Sequence, residues 1–122
     1  PGEPTSSALS FDNPGPEQDL HWVLCAEDGS VSAVRIGIDG RDPVRLPVTL
    51  PEGGSLRFEG GREVAVLDAQ HRRTGSIRIP EASFVIGPGP HTLIVEADLV
   101  PAESAKARLE VRPRGRPERL GD

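Results

Sequence analysis

Val44-Arg45-Leu46-Pro47-Val48-Thr49-Leu50 carries an apolar side chain on every second position, with arginine, proline and threonine between them. Successive side chains of an extended strand point to opposite faces, so a period of two gives one apolar face and one polar face. The same beat recurs in Leu20, Trp22 and Leu24, set between Asp19, His21 and Val23, and again in Ala107, Leu109 and Val111 among charged neighbours. These are half-buried strands rather than helices.

Working outward, turn residues close each run. Asn13-Pro14-Gly15-Pro16, Glu27-Asp28-Gly29-Ser30, Asp39-Gly40-Arg41-Asp42, Pro51-Glu52-Gly53-Gly54, Gly60-Gly61 and Gly87-Pro88-Gly89-Pro90 all reverse or reset the chain. The spacing predicts strands over residues 8–12, 20–26, 31–38, 44–50, 55–59, 63–68, 76–79, 84–86, 91–99 and 105–112. The continuously apolar run Val64-Ala65-Val66-Leu67 predicts a strand covered on both faces. Residues 101–106 read as a loop. The expected fold is an all-β, two-sheet antiparallel sandwich of about 8–10 strands, immunoglobulin-like or jelly-roll. It occupies residues 8–112, between a linker (1–7) and a flexible tail (113–122).

With 122 residues there is room for a single modest core. Aromatic residues make up only 3% of the chain, so valine, leucine, isoleucine and alanine must fill most of it. The net charge of −5 disfavours nucleic acid, which demands a basic face. Positive charge is nearly all arginine, Lys106 being the only lysine, which reads as GC-rich coding DNA. No apolar stretch approaches the roughly 20 residues of a membrane helix. The chain starts at Pro1 and contains no methionine, which leads us to expect a domain excised from something longer.

Little in the sequence points to chemistry. Cys25 is the only cysteine, which rules out an internal disulfide, and its phase sets it with His21 and Val23, opposite Trp22. His21, His71 and His91 fall on different elements, without the i, i+2 or i, i+4 partner of a metal pair. Asp39 with Asp42, and Glu96 with Asp98, read as turn and solvent-facing groups. No G-x-S-x-G elbow, G-x-G-x-x-G loop or phosphate loop occurs. We therefore expect no catalytic residue, metal or cofactor. The phase of Trp22 favours the core. If it instead faced outward, it could stack on sugar, with His71, Arg72 and Arg73 of the loop 69–75 as polar partners.

The order strand, Pro51-Glu52-Gly53-Gly54, Leu56 and Phe58, Gly60-Gly61, Val64-Ala65-Val66-Leu67-Asp68, then Gly87-Pro88-Gly89-Pro90-His91-Thr92-Leu93-Ile94-Val95, resembles the β-sandwich accessory domains of bacterial glycoside hydrolases and related secreted polysaccharide-degrading enzymes. The resemblance implies a non-catalytic, secreted or cell-surface module. Such a module packs on an adjacent domain or binds polysaccharide. The alternative is a structural protein-protein interaction module of a bacterial surface or phage-tail-like assembly.

Overall fold

The computed structural model of the chain describes residues 5–100, 105–112 and 118–120. Their elements are all strands: β1 (Thr5–Asn13), β2 (Gln18–Asp19), β3 (His21–Asp28), β4 (Ser30–Ile38), β5 (Val44–Leu50), β6 (Ser55–Phe58), β7 (Glu63–Leu67), β8 (Arg73–Arg78), β9 (Val85–Ile86), β10 (Gly89–Val100), β11 (Lys106–Arg112) and β12 (Glu118–Leu120). One sheet has the order β1-β10-β4-β5, the other β12-β11-β3-β6-β7-β8, and β2 pairs with β9 as a small third sheet. Every pairing is antiparallel. The all-β sandwich read from the two-residue period is the fold.

The inner faces are the alternating sets. Trp22, Leu24, Leu56, Phe58, Val64 and Leu109 of the larger sheet, with Leu20 just before β3, meet Val34, Ile36, Ile38, Leu46, Leu50, Leu93 and Val95 of the smaller. Ile79, Phe84 and Ile86 join the same core from the segment around β9. Trp22 stands opposite Phe58 in the ladder, and Phe84 packs on both rings, at centroid distances of 5.4 and 4.9 Å. Edge-on and tilted ring contacts of this kind stabilise beyond the area they bury.

β4 shows how a bulge resets phase. Val31 and Val34 are both buried although three positions apart, because Ala33 takes φ 52° and the register to β5 and β10 shifts there. The extra residue bends the strand and returns the following even-numbered residues, Val34, Ile36 and Ile38, to the core.

Several bounds differ from the sequence expectation. β1 starts at Thr5, so residues 5–7 belong to the sheet rather than to a linker, with Thr5 paired to Ala97. Residues 1–4 and 101–104 lie outside the described residues, and so do 113–117 and 121–122 of the expected tail. Within that tail, Glu118–Leu120 pairs with β11. β7 is covered in part on each face: Val64 and Leu67, on opposite sides, are buried, while Ala65 and Val66 are half-buried. β1 approaches β12, which sets the two sheets edge to edge on that side. On the other side the four-stranded sheet ends in β5 and the six-stranded sheet in β8.

Candidate functional site

Two places gather polar side chains. The first is one end of the sandwich, where the β1–β2 loop, the β4–β5 turn and the β9–β10 link meet. Asp39-Gly40 makes that turn: both residues have positive φ (52° and 77°), and Arg41 N–H donates to Ile38 C=O at 2.9 Å. An Asp-Gly pair suits such a type I′ turn because glycine adopts positive φ without strain. The turn aims Asp39 at His91 on β10. Asp39 Oδ2 lies 2.5 Å from His91 Nδ1, and Asp39 Oδ1 accepts from Thr92 N–H at 2.8 Å. His91 Nε2 lies 2.6 Å from Gly87 C=O.

Both ring nitrogens of His91 therefore face acceptors, which only the protonated imidazolium satisfies in full. The hydrogen bond to Asp39, then that to Gly87 C=O, raises the His91 pKa above its ordinary 6.5 against the opposing effect of burial. Partial burial pushes Asp39 up, but hydrogen bonds from His91 and Thr92 N–H outweigh it, and its pKa falls below 3.8. Phe11 stacks on the His91 ring, with the centroids 5.6 Å apart. Arg41 Nη2 donates to Val85 C=O at 2.7 Å and ties the same turn to β9.

Asn13 completes this end. It is buried, its Nδ2 donates to Pro16 C=O and Gly87 C=O at 3.0 Å each, and its Oδ1 accepts from Gly15 N–H and Gln18 Nε2 at 3.1 and 2.7 Å. All four hydrogen-bonding positions of the amide are used. An Asp-His pair can orient a general base, but such a base needs a free ring nitrogen, and here Nε2 is held by a carbonyl. This cluster is a structural tie between three loops.

Two expected outcomes follow from it. Asn13→Ala should cost about 1–3 kcal/mol in a urea melt, because buried partners lose their bonds. The His91 contribution to stability is fully present below pH 6.5 and is lost as pH rises through the raised folded value. The Asp39 contribution is present above pH 3.8 and is lost as pH falls through its depressed value. Thermal melts at pH 5.5 and 8.5 should thus show a drop for the native chain that is absent in His91→Gln. An equal drop in both would contradict the ion pair.

The second place is the β7–β8 hairpin. Asp68 Oδ1 accepts from Gln70 N–H and Arg72 N–H, both at 2.9 Å, and its own N–H donates to Arg72 C=O at 2.9 Å. The Arg72 N–H bond is the main reason the Asp68 carboxyl lies below its usual range. The cinched loop presents His71, at φ 63°, Arg72 and Arg73 to solvent. Arg73 pairs with Glu63 at 3.3 Å and Arg72 with Asp68 at 3.9 Å, both exposed and energetically weak.

The structure does not bring Trp22 to this loop. Its side chain is only 1% exposed and sits between the sheets, so sugar stacking at Trp22 needs a surface that it does not have. Trp22 pairs with Phe58, whereas Leu67, just before the loop, pairs with Ser55. Three residues of strand, about 10 Å, separate the two rungs. Of the four sugar-site candidates, His71, Arg72 and Arg73 are brought together and Trp22 is not.

Cys25 lies on the outer face of β3, half-buried, as its phase predicts. Burial, then Glu27, raises its thiol pKa against the pull of Arg108, opposite the lowering that a nucleophilic thiolate needs. Among the described residues no group of three or more His, Cys, Asp or Glu could hold a metal ion. Nor, among the described residues, is any helix long and apolar enough to cross a membrane. The sequence reading missed the Asn13 hub and the Asp39–His91 pair. The only local hint was Asn13 before Pro-Gly-Pro.

Comparison with known protein families, curated proteins and solved structures found no match.

Proposed function

We propose that the chain is a non-catalytic accessory module that acts by packing, as a rigid sandwich set against an adjacent domain of a larger protein. One observation carries this reading: every aromatic ring of the chain, Phe11, Trp22, Phe58 and Phe84, lies in the core. Sugar-binding faces rely on exposed rings, so their burial favours support over glycan capture. The setting in a secreted carbohydrate-active enzyme draws its support from the strand-and-turn resemblance.

The test is polysaccharide affinity electrophoresis and reducing-sugar release with the purified chain. We expect neither retardation nor turnover. Retardation that His71→Ala/Arg72→Ala removes would move the function to glycan binding at the hairpin, and turnover would overturn the reading.

A further inference from the structure

We infer that the outer edge of β8 is a docking site for an extended segment of another protein, one whose residues alternate between acidic and apolar. Burial alone singles out β8. Residues 73–78 are exposed except for the half-buried Ile77, so both faces of the strand are largely in water. It ends the six-stranded sheet, with β7 its only neighbour among the described residues.

The other strand ends of the two sheets are closed or blunted. β1 and β12 approach each other. β5 carries Pro47, which has no N–H to offer, and its Pro47-Val48 pair is set against the single residue Ala33. Proline and bulges are the usual means of stopping a sheet from growing.

β8 keeps its outer backbone groups. Ile79 N–H donates to Arg62 C=O at 2.8 Å, and the register pairs Ile77 with Val64 and Gly75 with Val66. In an antiparallel ladder, alternate residues turn both backbone groups to the same side. Ser76 and Arg78 therefore direct N–H and C=O away from β7, ready to receive a further strand.

Side chains then set the chemistry of the partner. Arg73, Ser76 and Arg78 stand beside Leu67, Ala65 and Glu63, on the outer face of the sheet; the bulge at Thr74 brings Arg73 into that set. Ile77 points the other way and packs, half-buried, against the edge of the core beside Val64. An added strand would place acidic residues near Arg73 and Arg78 and apolar residues beside Ile77. A second copy fits less well. Antiparallel pairing centred on Gly75-Ser76 sets Arg73 against Arg78, like charge on like charge. The Arg73–Glu63 pair is exposed and weak, so an incoming carboxylate competes with it at little cost.

This inference stands apart from the packing role, since it needs only a β8 edge left uncovered in the isolated chain. The probe is a synthetic peptide of about eight residues, the length of an ordinary strand, alternating Glu and Val. Binding to the full chain is followed by amide NMR shifts and hydrogen exchange. We expect Ser76 and Arg78 amides to shift and gain protection. Higher salt should weaken binding, and Arg73→Glu/Arg78→Glu should weaken it about tenfold.

Ser76→Pro should abolish docking and leave the fold intact, because it removes an outward N–H that β7 does not use. The charge-reversal variant, which alters only exposed side chains, decides the matter if Ser76→Pro does not fold. No binding at millimolar peptide, binding unchanged in the charge-reversal variant, or equal binding of a Lys–Val peptide would overturn the inference. So would a dimer in sedimentation that Ser76→Pro dissolves, which would assign the edge to a second copy.

Discussion

Trp22→Ala is expected to remove about 3–5 kcal/mol of stability, the usual cost of deleting a large aromatic from a packed core. The ring is fully enclosed and holds Phe58 and Phe84 in contact, at 6.1 and 5.4 Å, so neither neighbour can fill the space without abandoning the other. A domain of ordinary stability has about 5–15 kcal/mol in all, so this single change should take much of it. Trp22→Phe should be far milder. It keeps a ring in the cluster and removes a buried indole N–H that has no hydrogen-bond partner among the described residues. Urea melts followed by circular dichroism would measure both. A Trp22→Ala protein as stable as the native chain would place the indole outside the core.

Gly29→Ala should be nearly as damaging, and Gly40→Ala much less so, although the two glycines share almost the same backbone angle. Gly29 has φ +75° and Gly40 φ +77°. A left-handed conformation costs a residue with a Cβ about 1–2 kcal/mol at either position. What differs is space. A Cβ on Gly29 would meet Val100 C=O at 2.5 Å and Ala105 Cβ at 2.8 Å, whereas one on Gly40 meets nothing within 4 Å. Gly29 occupies the single-residue link between β3 and β4, where the strands cannot separate without disturbing both sheets. Overpacking adds about 1–3 kcal/mol, so the loss at Gly29 should reach about 2–5 kcal/mol. Equal midpoints for the two variants would contradict the close approach of β10 to this link.

The strands with strong contrast were legible from side-chain alternation, and the weak ones were not. Leu20, Trp22 and Leu24 against His21 and Val23 fixed which face of β3 is buried, and with it the outward position of Cys25. Thr5-Ser6-Ser7 gave no such contrast, because small polar residues look alike on either face, and the start of β1 was lost. β2, with two residues, is too short for a period to register. Val31 falls out of step with Val34 because of a bulge at Ala33, and an alanine does not announce a positive φ. The site was harder still. Asp39 and His91 are 52 positions apart, and the bond joining them follows from register between β4 and β10 rather than from any local motif. The exposure of β8 reflects its place at the end of the six-stranded sheet, a property of the whole assembly. His71, Arg72 and Arg73 were legible because a polar loop between two strands has nowhere to go but solvent.

Trp22 is the only tryptophan and the chain has no tyrosine, so its fluorescence reports on one position alone. Acrylamide quenching of that emission, with and without soluble polysaccharide, asks whether the sandwich is closed around its aromatics and therefore acts as a support. The expected result is a blue-shifted emission, poorly quenched and indifferent to added glycan. A red-shifted, readily quenched emission that polysaccharide protects would contradict it.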